Sequence, residues 1–238
     1  SLPTLGTVSR NENGYPIGYF FGYKAIGVFQ TQEEIDSYIS PATGKPIQPN
    51  AAPGDTKFED LNGDGVISDD NEDRTMIGKP NPDWMVGLTV AADWNGFDLS
   101  AFFQGSFGAD VFDALRRYEL AAVNYTSDAL ERWTGPGTSN SMPRIVLGDT
   151  PKNFRPSTLL VHDASFLRLR NLQVGYTLPA QLTRKAYIQR LRFYASFDNL
   201  LTITGYKGMD PEIGSTMGID KGVYPQARVY TFGLNLTF

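Results

Sequence analysis

The residues with the most explicit chemistry run from Asp60 to Asn71, DLNGDGVISDDN. Asp60, Asn62 and Asp64 alternate along a stretch interrupted by Gly63 and Gly65, so three oxygen-bearing side chains can converge on one point, as a hard cation requires. The spacing is that of an EF-hand-type calcium loop. Asp60, Asn62 and Asp64 fall on ligand positions one, three and five, Gly65 on the sharp turn, Val66 on the position that offers a backbone carbonyl, and Ile67 on the apolar anchor. The pattern departs at position twelve, where Asn71 stands in place of a bidentate carboxylate and Asp70, Glu72 or Asp73 would have to reach in. The expected metal set is therefore Asp60, Asn62, Asp64, Val66 and Asp70 around Ca2+. The same residues also suit an Asx-rich turn whose side chains bond their own backbone, and the sequence leaves both readings open. No helical periodicity flanks the loop, which excludes a helix–loop–helix sensor.

Other chemistry is thin. Cysteine is absent, which excludes disulfides, thiolate catalysis and zinc–thiolate sites. His162 is the one histidine; it stands beside Asp163 without any nucleophile pattern. A glycan-cleaving enzyme would need two converging carboxylates, and Asp198, Asp210 and Glu212 sit on separate predicted elements. No catalytic residue is assigned and no enzyme is expected. Tyr118, Tyr125 and Trp133 could stack on a sugar, but packing of their own loop explains them equally well, so no substrate-binding residue is assigned. With 21 basic against 26 acidic residues the formal net charge is -5, and no basic run interrupts it. A nucleic-acid partner has no support.

The elements that must position these residues are strands. Aromatics make up 13% of the chain, with 24 Gly and 15 Pro, a composition that favours β-structure with many turns. At the end of the chain, in RVYTFGLNLTF, Tyr230, Phe232, Leu234, Leu236 and Phe238 share one face against Val229, Thr231, Gly233, Asn235 and Thr237. The run is as long as a tilted membrane-crossing strand, roughly 9 to 11 residues. From Asp83 a hairpin is predicted around Asn95-Gly96. Trp84, Val86, Leu88, Val90, Ala92 and Trp94 pair with Phe97, Leu99, Ala101, Phe103, Gly105 and Phe107 on the apolar face. Trp94 and Phe97 would stand at its tip in an interfacial aromatic girdle. Ser165 to Leu178 is another strand whose parity slips near Asn171, predicting a bulge and turning Arg168 and Arg170 away from the apolar side. Leu191 to Ile203 forms the next strand. Helices are expected at Thr31 to Ile39 and across Asp113 to Trp133.

Residues 1–82 form an extracellular loop region carrying the calcium loop, with strand-like pieces between Tyr19 and Phe29. Residues 83–238 hold about five strands with long loops at 108–160 and 204–226. Long and short connections alternate along the chain, so all long loops lie at one end of the strands, the asymmetry of bacterial outer-membrane barrels. No stretch approaches 18 apolar residues, so no membrane helix is predicted. A chain beginning at Ser1 without a secretory signal pattern reads as a processed product or a piece of something longer. The alternative reading is a soluble, calcium-stabilised β-sandwich binding module, with one face on a core and one in water.

A resemblance sharpens this. The run PNAAPGDTKFEDLNGDGVISDDNEDRTMIGKPNPDWMVGL, the hairpin WNGFDLSAFFQG, the strand SFLRLRNLQVGYTLP, the segment LRFYASFDNLLTITGYKGMDPE and the closing YTFGLNLTF together resemble the C-terminal part of SusC-like (SusC/RagA-type) TonB-dependent outer-membrane transporters. That resemblance implies an all-β, antiparallel transmembrane segment of a larger barrel of about 22 strands, filled by an N-terminal plug. It implies import of glycan fragments or peptides beneath a SusD-like lipoprotein lid, driven by the TonB complex, with long loops extracellular and the C-terminus periplasmic. Family members carry a similar DLNGDG loop that usually ends in Asp at the twelfth position; here the ending is the longer SDDNEDR. Plug and TonB contact would lie outside these residues.

Overall fold

The structure is a computed structural model and describes residues 8–70, 72–116, 118, 120, 124–213 and 217–238. In chain order the elements are β1 (Ser9–Arg10), β2 (Tyr19–Tyr23), β3 (Ala25–Val28), α1 (Gln32–Ser37), β4 (Thr56–Phe58), β5 (Arg74–Gly78), β6 (Trp84–Trp94), β7 (Phe97–Phe107), β8 (Asp110–Asp113), β9 (Val161–Asp163), β10 (Phe166–Thr177), α2 (Ala180–Thr183), β11 (Arg190–Thr204), β12 (Ile219–Asp220) and β13 (Val229–Thr237). They fall into two compact units. One holds Ser1–Asn81, Asp110–His162 and Ile213–Gly222; the other holds Pro82–Ala109, Asp163–Glu212 and Val223–Phe238.

The second unit is a single sheet in the order β13-β11-β10-β7-β6, antiparallel at every pairing. The predicted hairpin is present, with Trp94 opposite Phe97 and Trp84 opposite Phe107. Its two-residue turn takes Asn95 and Gly96 to φ 48° and 83°, the left-handed pair that a tight hairpin of native twist demands. Register carries one apolar face through all five strands. Leu99 lies opposite Val174, Val174 opposite Ala195, and Ala195 opposite Phe232. The expected bulge is there, a shift between Leu169 and Asn171 against both neighbours. That apolar face is uncovered. Trp94 is 72% exposed, Phe232 76% and Leu234 59%. A sandwich would bury this face under a second sheet, so the soluble alternative does not describe these strands.

The first unit is built from short strands. β1-β2-β5 form one antiparallel sheet, β3-β4 a second, and β12-β8-β9 a third in which β12 runs parallel to β8. Its core gathers Val8, Phe20, Phe112, Leu160 and Ile219. The predicted helix near Thr31 is α1, with Thr31 Oγ1 accepting from the Glu34 amide. The helix expected across Asp113 to Trp133 is corrected. Residues 110–113 are strand, Ser127–Glu131 is a 3-10 turn, and residues 117, 119 and 121–123 lie outside the described set. The cause is local: Asp113 Oδ1 takes the Leu115 amide at 2.9 Å, and its carboxylate also pairs with Arg116, an Asx bond that competes with a helical turn. Tyr118 packs instead on Tyr125 and Phe154, and Trp133 donates to Gln30.

Candidate functional site

Opposite the apolar face, the sheet presents a polar one. On it Arg168, 1% exposed, donates from Nε to Thr202 Oγ1 at 2.9 Å, from Nη2 to Asp210 at 2.6 Å and from Nη1 to Glu212 at 2.9 Å. Arg170 reaches the same side, donating to Gln104 at 2.6 Å, to Asn199 at 3.2 Å and to the other oxygen of Glu212 at 2.5 Å. Arg168 and Arg170, two residues apart, share this side by the ordinary period of a strand, and the bulge between Leu169 and Asn171 lets the adjacent Asn171 join them. Asn171 continues the row, donating to Ser196 and Asp198. Nearer the hairpin tip, Arg192 holds Asp98 by two bonds, 2.8 and 2.5 Å. The pair crosses directly over Gly175, where a Cβ would come within 2.4 Å of Asp98 and 2.5 Å of Arg192.

The segment after β11 is tied down by this row. Asp210 also accepts the amides of Gln226 and Glu212, each at 2.9 Å. Burial pushes its pKa up, but the two amides and the Arg168 guanidinium outweigh that and hold it below the ordinary value. Asp210 and Glu212 are thus occupied in fixing the segment, and Asp198 in bonding Asn171; they do not form a converging catalytic pair. The sequence placed both arginines on the polar side. It gave no sign that Asp210 and Glu212 would be their partners, because 42 residues separate each pair.

The acidic loop lies in the first unit. Asp60 accepts the amides of Gly63 and Gly65 at 2.8 and 2.9 Å, Asn62 that of Asp64 at 3.0 Å, and Asp64 that of Val66 at 2.8 Å. The Asx-rich turn is therefore formed. Asn62 Nδ2 donates to both Asp64 at 3.0 Å and Glu72 at 3.1 Å, so Glu72 is the carboxylate that closes toward the alternating donors. Asp70 instead accepts from the Ser68 hydroxyl and the Glu72 amide, which hold its carboxyl below the ordinary value. Asp73 is fully buried and accepts the amides of Leu61 and Ser68, anchoring the loop base. Ile67 is half-buried, Val66 is exposed, and Asn71 lies outside the described residues. Among the described residues no three carboxylates or imidazoles converge as a metal site. The donors are all oxygen, the chemistry of a hard cation. A cleft of about 680 Å³ beside the loop is lined by Ile47, Val66, Lys45, Lys152 and Arg155. Its basic residues come from distant parts of the chain, which is why the sequence did not reveal it. His162 approaches Asp113 at 3.9 Å.

No protein-family model matches the chain. Over 95% of the chain it is 34% identical to TonB-dependent receptor P3 of Formosa agariphila. Over 97% of the chain it is 30% identical to TonB-dependent receptor SusC of Bacteroides thetaiotaomicron. These matches span 23% and 21% of the relatives' own lengths, so the chain accounts for less than a quarter of each. Among solved structures it is similar to the RagAB peptide transporter, with a TM-score of 0.73 and 27% identity over 99% of this chain and 24% of that one. The RagAB peptide importer in its 'open-open' state gives 0.72 and 26%. These relatives are receptors and transporters, and the chain is not an enzyme. By sequence and by fold, these residues are a β-barrel portion of a SusC-like TonB-dependent receptor.

Proposed function

We propose that the receptor containing these residues imports oligosaccharides or peptides across the outer membrane, and that β6, β7, β10, β11 and β13 are five adjacent staves of its barrel wall. The observation that carries this is the division of one sheet into an uncovered apolar face and a hydrogen-bonded polar face, the division a lipid-facing wall around an aqueous interior needs. Register supports the orientation. Trp94, Tyr176, Arg192 and Asn235 lie together at the end where the connections are short, and the chain leaves the other end for its long excursions. We place that short end in the periplasm with the C-terminus, and the long connections outside the cell.

The partners on this reading are the remaining strands and N-terminal plug of the same receptor, a SusD-like lipoprotein lid and the TonB complex. Residues 1–82, 108–160 and 204–226 are the outer loops that meet lid and substrate, and 83–238 carries the strands. On this reading Asp60, Asn62, Asp64, the Val66 carbonyl and a carboxylate from Asp70 or Glu72 would hold Ca2+, which would stiffen the loop. Peptide cargo draws support from the similarity to the RagAB peptide importer, and oligosaccharide cargo from the wider resemblance. Purification of the tagged full-length receptor from its native outer membrane tests this. A surface lipoprotein should copurify, and deletion of the receptor gene should abolish growth on one oligosaccharide or peptide source. Unchanged growth on every such source and a receptor that purifies alone would refute the import reading.

A further inference from the structure

Between Asp163 and Asp198 the sequence contains no acidic residue, although the chain as a whole is acidic, and six of its basic residues fall there. Arg168, Arg170 and Arg192 are neutralised by carboxylates on the polar face. The sixth, Arg190 at the start of β11, acts electrostatically on Asp98; Arg184 and Lys185 have no such carboxylate. Both are exposed, and among the described residues neither has an ion-pair partner. They stand on the connection between β10 and β11, where α2 is followed by a 3-10 turn, Arg184–Ala186.

This connection is a fixed platform. The Leu178 amide donates to Leu191 at 2.9 Å, the Ile188 amide to Thr183 at 3.2 Å, and the Gln189 amide to Thr237 at 2.8 Å, tying it to β11 and β13. It ends on Tyr187 at φ 58°, a left-handed conformation that a bulky residue rarely adopts, with the Tyr187 side chain 90% exposed. Leu182 is also exposed. The platform thus presents an aliphatic and an aromatic side chain flanked by two unpaired cations. It does so at the end of the sheet where Trp94, Phe97, Phe193 and Phe238 lie uncovered.

We propose that the 178–190 connection is a headgroup clamp for anionic phospholipid, with Arg184 and Lys185 meeting the lipid phosphate and Leu182 and Tyr187 seated in the interfacial layer. The inference rests on the outer-membrane reading and fixes which leaflet chemistry this end of the barrel recognises. Two features favour lipid over a protein partner. The exposed Leu182 and Tyr187 stand on the connection at the same end of the sheet as the uncovered Trp94 and Phe97, and Arg184 and Lys185 beside them are long basic side chains of the kind that reach headgroups.

The test uses the full-length receptor in nanodiscs of phosphatidylcholine, of equal parts phosphatidylcholine and phosphatidylglycerol, and of phosphatidylcholine with added inorganic phosphate. The thermal midpoint and the phosphatidylglycerol retained in native mass spectrometry are read. The wild type should melt higher and retain lipid only with phosphatidylglycerol. R184Q/K185Q should lose the shift, with retention weakened about fivefold for each cation removed, while R184K/K185R keeps both. An R184Q/K185Q receptor that keeps the lipid-dependent shift overturns the clamp. So does an equal shift with inorganic phosphate, which would make free phosphate the ligand, or no shift for the wild type in any disc. A receptor that enters none of the discs would end the barrel reading and the clamp with it.

Discussion

Arg168 shows how much a single buried side chain decides. Its guanidinium meets two carboxylates and a hydroxyl, and removing one side of such a pair strands the other. Because the Asp210 pKa is held below its ordinary value, near 3.9 for a free side chain, the linkage has a definite sign. The docked segment is fully stabilised above that pH and loses the contribution as pH falls through the lower folded value. A nitroxide placed at the exposed Met209 of the full-length receptor should therefore gain mobility below about pH 4. In Asp210→Asn the mobility should already be raised at neutral pH and respond little to acid. The acidic loop gives a second prediction. Asp60 and Asp64 accept backbone amides, so replacing both by Ala should lower stability in any buffer, by about 0.5–1.5 kcal/mol per bond lost. On the calcium reading the loss in melting temperature should be larger in calcium than in chelator; equal losses leave only the Asx turn.

At the scale of elements, β13 makes the division of faces testable. Leu234 stands on the uncovered apolar face and Thr231 on the polar one. Leu234→Arg should destabilise the folded receptor by about 2–4 kcal/mol, whereas Thr231→Lys should be tolerated. Urea titration of the two variants in lipid checks this, and similar losses for both would contradict the assignment of faces. These faces were legible because a strand repeats every two residues: β6, β7 and β13 could be read directly, and the parity change at Asn171 marked the bulge in β10. What was hidden depends on pairing across distance. β1, β2 and β5 are short, and nothing in SR, YFFGY or RTMIG says that they meet. The Asp113 to Trp133 stretch suggested a helix through loosely spaced Leu and Tyr, but the Asx bond at Asp113 and the packing of Tyr118 prevailed. The platform at 178–190 read only as a short connection, because its meaning lies in the exposure of Leu182 and Tyr187 and in two cations that have no ion-pair partner among the described residues.

In the whole molecule the decisive feature is that the sheet has two open edges, β6 and β13. Backbone edges facing hydrocarbon are too costly to persist, so membrane sheets close into barrels. On the import reading, strands elsewhere in the receptor bond to β6 and β13 and complete the ring. The most direct test of this account is cysteine scanning along residues 229–237 in the full-length receptor, in native outer membranes, with cysteines elsewhere replaced. Each site carries a nitroxide, and its accessibility to oxygen dissolved in lipid is compared with that to a water-soluble relaxation agent. The account predicts strict alternation, with labels at 230, 232, 234 and 236 reached from lipid and those at 229, 231, 233, 235 and 237 from water. Uniform access of the water-soluble agent along both faces would contradict it.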